Sequence, residues 1–586
     1  MKAKKVMIIG ILFITIWGNR CARVPLKMDL SLDSSGKKWV RQTLDKMTVE
    51  EKIGQMICCR VQGIYAHRES EFIKNLEKLV RQEKVGGFIL FRGEIYETAW
   101  LLNKLQQWTD VPLLIASDLE RGLGNQLNGA TLFPPLMSLG AIGSAEAAYA
   151  MGKVTAVEAR SVGIHITYAP VVDVNINPLN PIINTRSFGE EPELVGRLAQ
   201  EFIKGCQEHG LIATAKHFPG HGDTDEDSHS VLPVVTGDRE RLEKVEFYPF
   251  RKVIQAGVQA IMTAHLHLPA LDPTVNMPAT LSKPILTDLL RMEMSFKGLI
   301  VTDAMNMGGI ITQYPPEEAA LLAVQAGADI ILIPPEPEKV IKKLIEAVKQ
   351  GIIPESRLNE SVHRILEAKA KLGLHQKSLV EVEEISKVVA SPKHLEQSQL
   401  AFQKSITCVK NSNNILPLSK NKKKIAVFAL SSDPGDYFAG SRFLQEIAKR
   451  QDILLGFMAD AFTGVKFFLE ALEKAREAEV YVVALFSRLR TGKGSVDLDE
   501  KYIQLIRNFS SSGVPVVVIS FGSPYFIRHF PEIDAYLCAY RHASPAQAAA
   551  VEALFGEIEI TGRLPVSIPG LFPAGFGIVV NKKNGL

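Results

Sequence analysis

The sequence predicts an α/β protein: a (β/α)8 TIM-like barrel followed by a second α/β domain. Three observations carry this expectation. Between about residues 50 and 375, short β-branched apolar runs alternate with helical periodicity, the pattern of βα units around a parallel sheet. About eight such runs are present, the number a closed barrel requires. Several of them end in a polar or charged residue, which suits a fold whose strand ends converge on one face.

Taken in order, the barrel runs are 53–59 (IGQMICC), 86–91 (GGFILF), 112–118 (PLLIASD), 166–173 (ITYAPVVD) and 212–218 (IATAKHF). They continue with 260–265 (AIMTAH), 299–303 (LIVTD) and 329–334 (DIILIP). The polar ends are Asp118, Asp173, Lys216 with His217, His265 and Asp303. One Asp after a strand is ordinarily a helix N-cap; repetition over five strands points to a shared pocket. Past about residue 374 the pattern turns helical and charged, a linker expected to pack on both neighbours. A second α/β unit follows, with strands expected at 424–430, 480–486, 515–522 and 535–540. The expected organisation is a leader (1–27), a barrel (28–375), a linker (376–422) and a C-terminal α/β domain (423–586).

A chain of 586 residues exceeds what one core organises. Lys+Arg 67 against Asp+Glu 64 leaves no electrostatic case for nucleic acid or an anionic membrane surface. The expected partner is therefore a small neutral molecule, and the expected oligomeric state is a monomer. The opening MKAKKVMIIGILFITIWGNRC sets a basic stretch before an apolar run of about a dozen residues, the length of a signal-peptide core rather than a spanning helix. Export is expected, with a lipid on Cys21 or an uncleaved N-terminal anchor as the routes by which the chain would meet a membrane. Cys21, Cys58, Cys59, Cys206, Cys408 and Cys538 show neither CxxC nor metal-ligand spacing, so they are expected as buried small hydrophobes.

The densest chemistry lies between Lys216 and His229, KHFPGHGDTDEDSH, with three histidines and four acidic residues in fourteen positions. It admits three readings: a metal site, an acid/base apparatus or a polar loop. The metal reading would use His217, His221 and His229 with Asp223, Asp225 and Glu226, but it has neither HExxH nor facial-triad spacing; no metal or cofactor is expected. The segment GLGNQL lacks both GxGxxG and GxxxxGK[ST], which weakens a nucleotide reading. Converged at a barrel mouth, Asp118, Arg186, Lys216, His217 and Asp303 offer donors and acceptors without one dominant charge, which suits a polyhydroxylated neutral ligand such as a sugar. Glycosidic cleavage needs a nucleophile or charge stabiliser on one side of the anomeric carbon and an acid on the other. Asp303, in VTDAMNM, fits the first role. Asp227 and His229, two apart in DSH, fit the second, with the carboxylate holding an imidazole that acts as general acid and then general base.

KHFPGHGDTDEDSH, VTDAMNM, NPIINTRSFG and GRLPVSIP (Gly562 to Pro569) closely resemble family 3 glycoside hydrolases, specifically the two-domain β-N-acetylglucosaminidase (β-N-acetylhexosaminidase) branch. The resemblance covers nearly the whole chain after the leader. It implies a TIM-like barrel followed by an α/β sandwich, and retaining hydrolysis of terminal non-reducing N-acetylglucosamine from peptidoglycan- or chitin-derived saccharides, without a metal. By position it implies Asp303 as nucleophile, His229 supported by Asp227 as acid/base, and Asp118, Arg186, Lys216 and His217 as holders of sugar hydroxyls. The β-glucosidase branch takes its acid/base Glu from the second domain, whereas SRLRTGKGSVDLDE (487–500) has no Glu before Glu500. One departure stands out: the branch pattern Asp-x-Glu-Gly-Gly appears here as DLERG, with Arg121 in place of the first Gly. A phosphorylase of the same fold, a β-glucosidase-type enzyme and a non-catalytic carbohydrate-binding protein are the alternative readings.

Overall fold

The computed structural model describes residues 31–228, 230–419, 424–488 and 498–583. The expected leader, Cys21 and His229 lie outside the described residues. Eight barrel strands follow one another along the chain: β1 (Ile57–Gly63), β2 (Gly87–Glu94), β3 (Leu114–Ser117), β4 (Ile166–Thr167), β5 (Ile212–Phe218), β6 (Ala260–Thr263), β7 (Leu299–Val301) and β8 (Ile331–Leu332). Each of β1 to β6 pairs in parallel with the next. A parallel bridge from Val301 to Ile330 and the pairing of Ile57 with Ile331 close the ring through β8. Strands covered on both faces read as largely apolar runs; all seven residues of β5 are buried, and its carboxyl end carries Lys216 and His217. The outer helices are amphipathic. Glu71–Arg81 is capped by Ser70, whose side chain accepts from the Ile73 N–H, and buries Ile73, Leu76, Leu79 and Val80.

Two expected strands differ from the observed ones for local reasons. The run 53–59 is divided: Val49–Gln55 is a helix opened by a capping box between Thr48 and Glu51, and the strand begins only at Ile57. The run 166–173 keeps only two ladder residues, because Pro170 has no N–H to donate. At the amino-terminal end of the barrel, Lys369 is fully buried and donates to Gln55 Oε1. Burial pushes its pKa down to about 7, against a smaller opposing pull from Cys58.

The second domain is a three-layer α/β sandwich. Its strands are β9 (Thr407–Asn411), β10 (Ile425–Ser431), β11 (Ile453–Ala459), β12 (Val480–Phe486), β13 (Val516–Phe521) and β14 (Ala535–Cys538). They are ordered β9-β14-β13-β12-β10-β11, and all are parallel except β9, which is antiparallel to β14. One face is covered by Ser441–Ala448 and Ser544–Leu554, the other by Glu500–Ser511. β9 falls within the stretch expected as linker. β11, an apolar run (ILLGFMA) outside the expected strands, is a half-buried edge strand.

The helix Pro392–Ser405 bonds to both domains: His394 Nδ1 lies 2.8 Å from Glu158 Oε1 in the barrel, and Gln403 donates to Glu552 at 2.8 Å. The GRLPVSIP segment docks the second domain onto the NPIINTRSFG loop. Glu190 accepts from the Ser567 N–H at 2.7 Å and its own N–H donates to Pro565 O at 3.1 Å. Gly189 has to be glycine at this seam, since a Cβ there would stand 2.5 Å from Pro565 O.

Candidate active site

The carboxyl ends of the barrel strands open into a cavity of about 470 Å³, within the roughly 300–1,000 Å³ usual for small-molecule sites. Part of its wall is the carboxyl edge of the second sheet. Ser487 and Arg488 follow β12, Gly522 and Ser523 follow β13, and Arg541 and His542 come soon after β14.

β3 delivers Asp118 and, two residues on, Glu120; β5 delivers Lys216 and His217. Lys216 Nζ donates to Asp118 Oδ1 at 2.8 Å and lies 2.8 Å from Glu120 Oε1. Arg186, on the loop after β4, takes both oxygens of Glu120, with Nε to Oε2 at 3.0 Å and Nη2 to Oε1 at 2.7 Å. Burial opposes the charge on Glu120, but Arg186 and Lys216 outweigh it and hold the carboxyl well below its usual range. For Lys216, too, burial favours the neutral form, and Asp118 and Glu120 overcome it, so its pKa is raised.

Asp173 organises the next group. Its Oδ1 accepts the backbone N–H of His217 at 3.1 Å and of His221 at 2.7 Å, and its Oδ2 lies 2.7 Å from His217 Nδ1. Buried though it is, the two histidines hold its carboxyl below the ordinary value. His217 Nδ1 therefore donates to Asp173, and Nε2 lies 3.4 Å from Arg186 Nη2.

Asp303, two residues past β7, differs from Asp118 and Glu120: it makes no ion pair among the described residues. Its Oδ1 accepts from the Ala304 N–H at 2.7 Å. Burial works against its charge, yet His217 and His265, with that N–H and Lys216, keep its pKa below the usual value. It is a carboxylate at neutral pH. His265 is fixed between Thr280 Oγ1 at 2.9 Å and Ala304 O at 3.1 Å.

The histidine-rich loop is pinned at several points. Arg241 Nη2 donates to Asp223 at 2.7 Å and to Glu246 at 2.8 Å. His221 is engaged at both ring nitrogens, by Thr224 Oγ1 at 2.8 Å and Ser228 Oγ at 2.9 Å, and burial pushes its pKa down to about 4, so it stays neutral. Asp225 and Glu226 are exposed, whereas Asp227 is buried in a turn whose carbonyl accepts from Ser230 and Val231. Ser228 O accepts from the Gly309 N–H at 3.2 Å, which ties the loop to the segment that follows Asp303.

Asp118, Arg186, Lys216, His217 and Asp303 thus line one cavity. Asp227 sits one residue from a cavity-lining serine, and His229 lies outside the described residues. Among the described residues no group of three or more His, Cys, Asp or Glu is arranged to hold a metal ion. His217, His221 and Asp223, which the metal reading would have used, are bonded to Asp173, to hydroxyls and to Arg241 instead.

The profile of the glycosyl hydrolase family 3 N-terminal domain matches residues 48–368, and that of the family's C-terminal domain matches 406–572. The chain belongs to glycosyl hydrolase family 3. It is 30% identical over 552 residues to a protein of Cellulomonas fimi named β-N-acetylglucosaminidase/β-glucosidase, covering 92% of this chain and 96% of that one. It is 32% identical to β-hexosaminidase A of Pseudoalteromonas piscicida, covering 84% and 91%. Among solved structures, a family 3 β-N-acetylglucosaminidase from Paenibacillus sp. str. FPU-7 superimposes with a TM-score of 0.79 at 33% identity, covering 89% of this chain and 99% of that one. A β-glucoside phosphorylase superimposes with a TM-score of 0.83 at 27% identity, covering 92% and 97%.

In this family 3 chain, sequence reasoning missed two carboxylates and one wall of the site. Glu120 stands in DLERG beside the noted Arg121, but its bridging role depends on Lys216 and Arg186 arriving from other strands. Asp173 was visible as a polar strand end, without any sign that it would receive His217 and His221. The second-domain residues follow expected strands, yet nothing local says that the two sheets face each other.

Proposed function

We propose that this family 3 glycoside hydrolase removes terminal non-reducing N-acetylglucosamine from peptidoglycan- or chitin-derived saccharides, with retention of configuration. The observation that carries the reading is Asp303, an ionised carboxylate facing a polar cavity with no cation paired to it, beside two carboxylates that are neutralised. The names of the Cellulomonas fimi and Paenibacillus proteins support the sugar.

In this reading an Asp303 oxygen attacks the anomeric carbon while His229, held by Asp227, protonates the departing glycosidic oxygen. A glycosyl ester of Asp303 forms. Water then attacks the same carbon, His229 takes its proton, and Asp303 leaves as a carboxylate. Asp118, Arg186, Lys216 and His217 hold sugar hydroxyls in the attack geometry. The chain acts as an exported monomer, its leader supplying the route. The test is a mechanism-based fluorosugar of the N-acetylglucosamine series. It should label the peptide containing VTDAMNM, and Asp303→Ala should abolish both labelling and nearly all turnover; labelling elsewhere, or substantial turnover by the variant, would refute the assignment.

A further inference from the structure

Where the two domains meet, the cavity wall carries positive charge that the proposed hydrolysis does not use. Arg186 and Lys216 are matched by Glu120 and Asp118, and Arg488 pairs with Asp436 at 3.1 Å. Arg121 and Arg541 are different. Neither makes an ion pair or a side-chain hydrogen bond among the described residues, and the Nε of each is buried without a partner. Ser487, in the same wall and only 5% exposed, likewise has a buried hydroxyl with no partner.

The buried Nε atoms and the Ser487 hydroxyl have given up water without a hydrogen bond in return, which is expensive, while Glu120 acts on both guanidinium groups only at longer range. Burial, with Arg121 and Arg488 nearby, pushes the Arg541 guanidinium down to about 9, and burial lowers Arg121 as well; both remain charged at neutral pH. Their placement has a direction. Arg541 and Ser487 lie beyond the carboxyl ends of β14 and β12, the edge of a parallel sheet where ligands bind. Arg121 comes from the barrel, at the position where the branch pattern has glycine. A sugar held by Asp118, Lys216, Arg186 and His217 with its anomeric carbon at Asp303 leaves this wall for whatever lies beyond the glycosidic oxygen.

We propose that Arg121, Arg541 and Ser487 form an oxyanion subsite at the domain junction that takes a carboxylate or phosphate group beside the bound sugar. The inference rests on the reading of the cavity as a glycoside site and adds an acidic ligand to it. The anion has two sources: an acidic substituent on the leaving-group sugar, or inorganic phosphate acting as acceptor. In the second case an oxygen of HPO4²⁻ bonds to the anomeric carbon as the bond from that carbon to Asp303 breaks. The products are the sugar 1-phosphate monoanion and the Asp303 carboxylate, with the same total charge before and after.

The experiment uses the full chain in two assays. Inorganic phosphate is titrated calorimetrically into wild type, Arg121→Gln, Arg541→Gln and Arg541→Lys. In parallel, β-linked N-acetylglucosaminyl disaccharides with neutral and with carboxylate-bearing leaving groups are compared by kcat/KM, with and without phosphate. The expected result is saturable phosphate binding, an acidic-over-neutral preference, or both, weakened about tenfold by either glutamine variant and partly restored by lysine. Sugar 1-phosphate among the products identifies free phosphate as the source; an acidic preference without it identifies the leaving-group substituent. The subsite is overturned if wild type shows neither effect, or if the effect it shows is unchanged in both glutamine variants. Loss of the hydrolase reading is separately visible as no turnover of any N-acetylglucosaminide, and the phosphate titration then decides the subsite by itself.

Discussion

Replacing Glu120 by Gln takes one negative charge away from two buried cations while keeping the side chain's shape. Three contacts are affected, at 2.7 and 3.0 Å to Arg186 and 2.8 Å to Lys216. Removing one partner of a buried ion pair costs about 3–5 kcal/mol. Because the amide oxygen still accepts one hydrogen bond, the expected loss of stability lies near the lower bound, about 3 kcal/mol. The folded carboxyl is held well below its ordinary value of 4.5, so its contribution is complete above that value and is lost as pH falls through the lower, folded one. The gap between wild type and variant should therefore be constant from about pH 6 to 8 and should narrow below about pH 4.5. Urea unfolding across that range measures it. Lys216 and Arg186 lose their orientation at the same time, and misplacement of binding groups by about 1 Å costs on the order of 10²-fold, the expected drop in kcat/KM on a nitrophenyl N-acetylglucosaminide. An unfolding midpoint at pH 7 equal to that of wild type, together with kcat/KM within about threefold, would refute the bridging role.

His229→Ala should slow substrates with poor leaving groups by about 10² to 10⁴ and nitrophenyl substrates far less; Asp227→Asn should show the same pattern, and equal losses on both classes would mean that the loop only positions. His221→Ala should depress both classes alike, since its ring ties Thr224 to Ser228, and a leaving-group dependence there would give it a proton-transfer role. Gly189→Ala places a Cβ against Pro565 O and should lower kcat/KM at least about tenfold while far-ultraviolet circular dichroism stays unchanged; wild-type kinetics would show that the domain seam is not needed for the site. Lys369 titrates at about 7 when folded against 10.5 in model compounds, so the unfolded chain binds more protons in that window and stability should rise with pH. Relative to Lys369→Met, wild type should gain up to about 1.4 kcal/mol per pH unit between about pH 7 and 10, and parallel stability curves would refute the buried, neutral state.

The barrel was legible because its strands are short, apolar and separated by helices with plain caps, so period and count agreed. What escaped was decided by particular local chemistry. Thr48 and Glu51 turned an apolar run into a helix, and Pro170 ended a ladder early. The site was legible in the residues that end strands, namely Asp118, Lys216, His217 and Asp303, because a barrel brings strand ends together whatever their order. Glu120, Asp173, Arg541 and Ser487 were not, because each gains its meaning from a partner or from an apposed surface contributed by another part of the chain. Arg121 was noticed as a departure, but only its lack of an ion pair or side-chain hydrogen bond among the described residues points to a role.

The seam between Glu190 and Ser567 has a bearing on when this protein becomes competent. The carboxylates and cations of the barrel side precede the second sheet in the chain, so they are synthesised and can pack while the opposite wall is still unmade. The residues that fasten that wall in place, Pro565 and Ser567, follow both the barrel and the second sheet in the chain. Until they arrive Asp303 faces an open barrel mouth, without the far half of its pocket. Completion of the pocket thus waits on the GRLPVSIP segment, and a chain interrupted before it would hold the barrel-side groups of the cavity and lack their enclosure.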